Sequence, residues 1–203
     1  MYPRLGIGLE AGGNLRPGLT HRYSPTYYGY AYAYLPGITR TQGLRMTLTG
    51  QAQVPTGAPF GENSVVIWPR GFTSADGRQI AQLTARQFKL TADYAIPIFV
   101  GDISLFSPVF YIKNFLLISH VDWTTFEGVR KIEGKETKTV SSSLMSAGAD
   151  FTVELGNFLW APFPCSVGVS ASWLGGPYFK TLSESADGGR KPYSIELIFS
   201  LDI

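Results

Sequence analysis

Hydrophobic and polar side chains alternate along most of this chain with a period of two residues. In one stretch, for example, Leu44, Met46 and Leu48 are separated by Arg45 and Thr47. Successive side chains of a β-strand point to opposite faces, so each such stretch predicts a strand with one apolar and one polar face. The pattern occurs at approximately 5–11, 28–34, 44–54, 88–96, 115–123 (where it is blurred), 149–155, 167–173 and 195–203. The sequence therefore predicts a single all-β domain over 1–203, with about eight antiparallel strands and no convincing amphipathic helix.

This alternation fits a soluble β-sandwich or a lipocalin-like barrel as well as a transmembrane barrel. Two features favour the membrane. Several stretches reach about ten residues, the length that a tilted strand needs to cross a bilayer. The connections also alternate in length, the long ones falling at about 12–26, 55–86, 125–143 and 174–192 and the shorter ones at about 35–43, 99–108 and 156–165. Outer-membrane barrels have long extracellular loops and short periplasmic turns, so the short connections and the C-terminus are predicted to face the periplasm.

The composition agrees with a membrane-embedded sheet. Charged residues make up 16 % of the chain, against about 25 % in ordinary soluble domains, while aromatic residues reach 14 %. The net charge of +2 and the lack of a Lys/Arg run do not point to a nucleic-acid partner. A window of about 18 apolar residues, which a transmembrane helix needs, does not occur. The N-terminal segment MYPRLGIGLE has no apolar core like that of a signal peptide, so we expect the chain to be a fragment of a longer precursor.

Aromatic side chains lie near the predicted strand ends, where barrels carry interfacial girdles. They are Trp123, Trp160, Trp173 and the second-strand ladder of Tyr28, Tyr30, Tyr32 and Tyr34. We interpret this tyrosine ladder as lipid-facing surface rather than as a binding platform.

The sequence predicts no enzyme, no metal site and no cofactor. His120 shares a strand face with Asp122, but no second His or Cys completes a metal or catalytic site, and His21 falls in a loop. No G-x-S-x-G elbow is present. Cys165 stands alone and is assigned no function.

The connection at 55–86 is long enough to predict a function, because structureless loops beyond about 15 residues are uncommon in compact domains. It contains Trp68-Pro69-Arg70-Gly71-Phe72. The following strand carries Asp93-Tyr94 and Pro97, and the strand after that carries Asp122.

These three motifs, in this order, resemble those of the bacterial surface antigen superfamily, which includes BamA-like outer-membrane insertases and two-partner secretion transporters. Arg70-Gly71-Phe72 matches the motif at the tip of a long loop that folds back into the barrel in that family. Asp93 stands where Glu is usual, and Thr124 stands where Gly is frequent, two residues after Asp122. The last strand usually ends in an aromatic residue that the assembly machinery reads, whereas this chain ends in Ile203, with Phe199 four residues earlier.

The resemblance implies an integral outer-membrane protein of a Gram-negative bacterium that inserts or translocates other proteins. Family barrels have sixteen strands, so this chain would supply the C-terminal half of an antiparallel transmembrane β-barrel. Its partners would be outer-membrane lipid, the N-terminal half of the barrel, upstream periplasmic domains and client proteins. A physical argument favours the larger barrel, because the interior of an eight-stranded barrel is filled by its own side chains and leaves no room for a long loop.

The implied mechanism is a latch, in which Arg70 enters the lumen and meets Asp93 and Asp122 on the wall. Arginine suits this role because its planar guanidinium donates several hydrogen bonds and stays charged. Gly71 would permit the turn, and Phe72 would fill a pocket of the wall. In a simpler interpretation, Arg70 is a solvated loop residue and the two aspartates merely line a wet lumen.

Two other functions stay open. The chain could be a passive pore or an anchor for an N-terminal domain outside it. It could also be a soluble sandwich or lipocalin-like carrier, which requires that the apolar faces of the strands turn inward.

Overall fold

The computed structural model describes residues 5–15, 25–53, 68–72, 84–105, 110–131, 137–158, 164–185 and 191–201. In chain order they form β1 (Gly6–Asn14), β2 (Thr26–Pro36), β3 (Gly43–Gln53), β4 (Thr84–Leu105), β5 (Phe110–Lys131), β6 (Thr137–Phe158), β7 (Cys165–Gly175), α1 (Pro177–Ser185) and β8 (Tyr193–Leu201). None of the helical structure in these ranges is long and apolar enough to span a membrane.

The eight strands form one antiparallel sheet in which each strand pairs with its neighbours in sequence. This confirms the predicted all-β fold with antiparallel strands. Within the described residues the sheet is open, because β1 pairs with β2 alone and β8 with β7 alone. Both edges therefore present backbone N–H and C=O groups that another strand could pair with.

The two faces of the sheet differ sharply in character. Side chains that are directly opposite in an antiparallel pair share a face, and one such row runs through Arg45, Asp93, His120, Gly148 and Ser172. The face of this row, called the polar face below, carries most of the buried polar side chains. The opposite, apolar face carries the hydrophobic members of the alternating pattern, and most of its large hydrophobic side chains are exposed.

Three strands are longer than the alternation predicts. Strands β4, β5 and β6 have 22 residues each, and the predicted long connection at 125–143 is wrong, because the β5–β6 ladder runs on to the pair Lys131 and Thr137. Residues 125–131 and 137–143 are largely polar, so the periodicity fades there. The backbone ladder continues nevertheless, since it needs only N–H and C=O groups.

The prediction that the chain lacks a helix is also wrong, because α1 lies in the connection after β7. Gly176, just before the helix, has a φ of 108°, a conformation that favours glycine. Pro177 follows at the first helical position, where its missing N–H costs no hydrogen bond. The helix is only nine residues long, and its apolar side chains are too few for a clear 3.6-residue period in the sequence.

The tyrosine ladder lies on the polar face, so its interpretation as lipid-facing surface is wrong. Tyr32 is directly opposite Gly8 on one side and Thr47 on the other, and Tyr28 is opposite Gly12 in the same way. A Cβ atom on either glycine would collide with the facing tyrosine ring. The rings thus occupy space that the glycines of β1 leave free, which the alternation alone did not indicate.

Candidate functional site

Three aspartates from three consecutive strands meet on the polar face. Asp93 lies on β4, Asp122 on β5 and Asp150 on β6. Asp93 is directly opposite His120, and His120 is opposite Gly148. Asp122 and Asp150 are each two residues away from this row, in opposite directions along the strands, because Asp122 is opposite Ser146 and Asp150 is opposite Ile118. Asp93 and Asp122 have no exposed surface, and Asp150 is nearly as buried. Such carboxylates need cationic or hydrogen-bonding partners to remain ionised.

Arg70, from the long loop, supplies that partner to all three. Its Nε donates to Oδ2 of Asp122 at 3.1 Å, one terminal nitrogen donates to Oδ2 of Asp150 at 3.2 Å, and the other donates to Oδ1 of Asp93. The backbone N–H of Arg70 also donates to Oδ2 of Asp122, at 2.9 Å. The guanidinium is thus bound on all sides by charge-assisted hydrogen bonds, which are among the strongest in proteins.

These contacts keep Arg70 charged. Burial alone would lower the pKa of Arg70. The hydrogen bonds that Arg70 donates to Asp122 and Asp93, and its charge attraction to both carboxylates, outweigh this effect and hold the pKa above its ordinary value. The Arg70 side chain is therefore cationic at any pH at which a protein is studied.

Two further cations complete the site. Arg45 of β3 donates to Oδ2 of Asp93 from Nε at 3.1 Å and from a terminal nitrogen at 2.6 Å. The ammonium of Lys89 donates to the backbone oxygen of Trp68 at 3.2 Å and so holds the chain just before Arg70. With Arg70, these residues balance the charge of the three aspartates.

A hydroxyl group and an imidazole ring lie against the other oxygen of Asp150. The Oγ of Ser170 donates to Oδ1 of Asp150 at 2.5 Å. The Nδ1 of His120 lies 3.5 Å from the same oxygen, and its Nε2 is within hydrogen-bond distance of the Ser172 hydroxyl, at 3.1 Å. These contacts fix the orientation of the Asp150 carboxylate towards Arg70.

The five residues 68–72, called the loop tip below, lie against the polar face around this network. Gly71 has a φ of 81°, and a Cβ atom there would come within 2.8 Å of Leu174 and 3.1 Å of Ser172. No other residue type fits this close approach of the loop backbone to the sheet without a shift. Trp68 packs edge-on against Phe126 of β5, with ring centroids 5.7 Å apart.

The structure brings Arg70 together with Asp93 and Asp122, the two carboxylates named from the sequence. Phe72 does not sit in a pocket made by the sheet alone, because its ring lies 6.4 Å from that of Phe179 in α1. Phe199 is on the apolar face of β8, far along the sheet from the loop tip, and is 65 % exposed. Ile203 and most of the predicted loop at 55–86 lie outside the described residues.

Sequence reasoning missed Asp150, Arg45 and Lys89. Each occupies a polar position of an alternating stretch, so the alternation places it on the same face as Asp93. The alternation does not give the register, which places Arg45 directly opposite Asp93 and places Asp150 two residues from that row.

The arrangement is suited to hold a cationic side chain and not a metal ion. Among the residues that the structure describes, no group of three or more His, Cys, Asp or Glu side chains could hold a metal ion. The carboxylate oxygens that face the loop are instead bound by nitrogen atoms of the chain itself. The site is therefore a docking site for the loop tip.

Comparison with known proteins finds no matching family model, no matching curated protein and no matching solved structure.

Proposed function

We propose that this chain is the C-terminal half of a sixteen-stranded transmembrane β-barrel in a Gram-negative outer membrane, with the loop tip latched inside the lumen. We further propose that the complete protein inserts or translocates other proteins. The observation that carries the proposal is the inverted sheet, in which polar side chains are buried and large hydrophobic ones are exposed. Leu9 and Leu197 are 82 % and 87 % exposed, whereas Asp93 and Asp122 are 0 % exposed.

This inversion favours lipid as the medium around the apolar face. Soluble monomers rarely expose contiguous apolar patches larger than a few hundred Å². Here the exposed hydrophobic side chains continue from strand to strand, from Ile7 on β1 through Trp123 on β5 to Ile195 on β8. A soluble sandwich or lipocalin-like carrier would turn that face inward.

The height of the apolar band supports the same medium. On β5 the apolar face is hydrophobic from Phe115 to Trp123, apart from Ser119, and becomes polar at Thr125 and Glu127. On β6 the corresponding hydrophobic run covers 145–153 and is followed towards the loop end by serines. Both runs match the roughly 9–11 residues that a tilted strand needs to cross the hydrocarbon. The 22-residue strands are about 70 Å long, so their polar ends would project beyond the membrane.

The open edges and the bound loop support a larger barrel. Unpaired N–H and C=O groups cannot be satisfied by lipid, so a membrane sheet has to close. Closing these eight strands on themselves would leave an interior just wide enough for the wall side chains. The polar face already carries the loop tip and α1, so the barrel needs additional strands, and an N-terminal half is the simplest source.

The role in insertion or translocation is supported by the resemblance to the surface antigen superfamily. The Arg-Gly-Phe tip contacts aspartates on the two strands that follow the loop, as that resemblance implies. A lumen occupied by a bound loop disfavours a passive pore that stands permanently open.

A cysteine-accessibility scan of β8 tests the membrane part of the proposal. Single cysteines at positions 195, 197 and 199, and at 196 and 200, would be introduced into the full-length precursor in a Cys165→Ser background. We expect a membrane-impermeant thiol reagent to label 196 and 200 in intact membranes and to leave 195, 197 and 199 unlabelled. Labelling of the apolar positions, or recovery of the protein in the soluble fraction, would overturn the proposal.

Depletion of the protein in its native host tests the assembly role. We expect the amount of at least one other outer-membrane or secreted protein to fall after depletion. A plasmid copy of the unchanged protein should restore that amount fully, and a copy with Arg70→Ala only in part. If a confirmed membrane barrel is depleted without any such loss, the insertion or translocation role is refuted and an anchor remains.

A further inference from the structure

The helix α1 packs on the same apolar cluster as the two ends of the loop tip. Leu182 of α1 is buried with Phe126 of β5 and Leu144 of β6. Tyr178, one helical turn earlier, packs edge-on against Phe126 with ring centroids 5.1 Å apart. This cluster lies on the polar face, where it is surrounded by hydrophilic side chains.

Trp68 and Phe72, the two ends of the loop tip, both pack against this cluster. Trp68 contacts the ring of Phe126 on one side, and Phe72 contacts Phe179 of α1 on the other. Phe126 is thus shared between the loop tip and the helix. Arg70, between the two aromatic residues, is the part of the tip that reaches the aspartates.

We infer that α1 is a strap that holds the loop tip in its site. With the helix in place, the apolar cluster covers Trp68 and Phe72 and limits the access of water to the ion pairs. With the helix lifted, Phe72 loses its partner Phe179, and Phe126, on which Trp68 packs, loses Tyr178 and Leu182. The ionic contacts then have to offset most of the cost of desolvating four charged groups. Docking of the helix and docking of the tip are therefore coupled.

The coupling makes the β7–β8 connection a regulatory element of the proposed latch, and in this respect the inference rests on the proposed function. The helix belongs to that connection and would face the outer surface together with the other long loops. A partner that binds this connection and lifts α1 would release the loop tip. Because coupling between two sites is reciprocal, release of the tip would loosen α1 to the same degree.

A buried reporter in the loop tip measures this coupling. Pro69 is among the fully buried side chains, so a Pro69→Cys substitution in a Cys165→Ser background reports exposure of the tip. The full-length protein in native membranes would be treated with a water-soluble thiol reagent, and the labelling rate would be compared between helix variants. We expect Leu182→Ala, at a buried position, and Phe179→Ala, at a partly buried one, to accelerate labelling roughly tenfold or more. Loss of such a packed side chain typically weakens the packing by more than roughly 1.4 kcal/mol, which corresponds to a factor of ten.

Lys180→Ala is the matched control, since Lys180 is an exposed residue of the same helix. It should leave the labelling rate within about twofold of the reference, because exposed substitutions rarely matter. The milder variants Leu182→Val and Phe179→Leu should give smaller accelerations in the same direction. These two milder variants replace the alanine variants in the comparison if an alanine variant fails to assemble.

Labelling rates of the helix variants equal to that of the control would overturn the strap. That result is distinguishable from failure of the proposed function, which the scan of β8 reports separately. A membrane-protected apolar face together with unchanged Pro69→Cys labelling refutes the strap alone. An accessible apolar face refutes the barrel whatever the helix variants do.

Discussion

One oxygen atom of Asp122, Oδ2, accepts hydrogen bonds from both the backbone N–H and the side-chain Nε of Arg70, at 2.9 and 3.1 Å. A single carboxylate of the sheet therefore fixes the main chain and the side chain of the loop tip together. Since Asp122 is fully buried, its charge depends on this contact. The position of the loop tip and the ionisation of the Asp122 carboxylate therefore depend on the same contact.

Replacing Arg70 should destabilise the fold strongly. In Arg70→Ala the carboxylates of Asp122 and Asp93 lose a guanidinium while they remain buried. Breaking a buried ion pair from one side typically costs about 3–5 kcal/mol. We expect a loss of that order in the free energy of unfolding, measured by urea denaturation of the purified protein.

Two variants sharpen this measurement. Arg70→Lys should recover only part of the loss, because an ammonium cannot reach three carboxylates in the geometry of the guanidinium. Arg86→Ala is the control, since Arg86 forms an exposed pair with Glu127 at 3.8 Å, and such pairs contribute about 0–1 kcal/mol. Equal stabilities of Arg70→Ala and Arg86→Ala would show that the network contributes nothing.

The three aspartates should not be equivalent. Asp122→Asn removes the charge that accepts hydrogen bonds from the backbone N–H and the Nε of Arg70. Asp150, in contrast, also has contacts with Ser170 and His120 besides that with Arg70. We expect Asp122→Asn to cost more than Asp150→Asn, by about 1 kcal/mol or more. A double-mutant cycle of each with Arg70→Lys, measured by the same denaturation, should give the larger coupling energy for Asp122. The reverse order would mean that the backbone contact of Arg70 is unimportant.

Motif order and alternation identify different parts of this molecule. The alternation places Asp93, Asp122 and Asp150 on one face, because a strand has a strict period of two. Only the order of the loop and strand motifs singles out Arg70 as the partner of the first two. The third aspartate could not be assigned without the register, since a shift of two residues keeps the face and moves the side chain about 7 Å along the strand.

The alternation of hydrophobic and polar residues does not predict strand segments that are polar on both faces but are still paired through the backbone. The ends of β5 and β6 are polar and still paired, as the ladder from the pair Thr125 and Ser143 onwards illustrates. The interpretation of the tyrosine ladder is wrong for another reason, because the alternation separates Tyr from Gly and Ala but does not say which set lies on the polar face. Its side was settled by the facing glycines of β1, which make room for the rings.

Gly71 should tolerate no side chain. A Gly71→Ala variant would adopt a φ of 81° that L-residues rarely take, and its Cβ would press on Leu174 at 2.8 Å. Strain of this kind usually costs about 1–3 kcal/mol. We expect faster proteolysis of the loop and a lower free energy of unfolding. The control is Gly175→Ala, where a Cβ would meet nothing within 4 Å, and an equal effect of both variants would remove the special role of Gly71.

Because Tyr32 packs over Gly8, substitutions at these two positions should have non-additive effects on the free energy of unfolding. In Gly8→Ala the new Cβ collides with the ring of Tyr32, which cannot easily turn aside because Tyr30 and Tyr34 lie 5.8 and 5.5 Å away. Overpacking of this kind typically costs about 1–3 kcal/mol.

The double variant Gly8→Ala, Tyr32→Ala should lose less stability than the sum of the two single variants, because the collision is gone. Gly6→Ala is the matched control, since its Cβ would sit at an ordinary 3.6 Å from Tyr34. Urea denaturation of the full-length protein gives all four free energies. Additive effects of the two substitutions would show that Tyr32 does not cover Gly8 in the assembled protein. A positive coupling would establish that the tyrosine rings of β2 pack over the glycines of β1 on the polar face and so hold the two strands together.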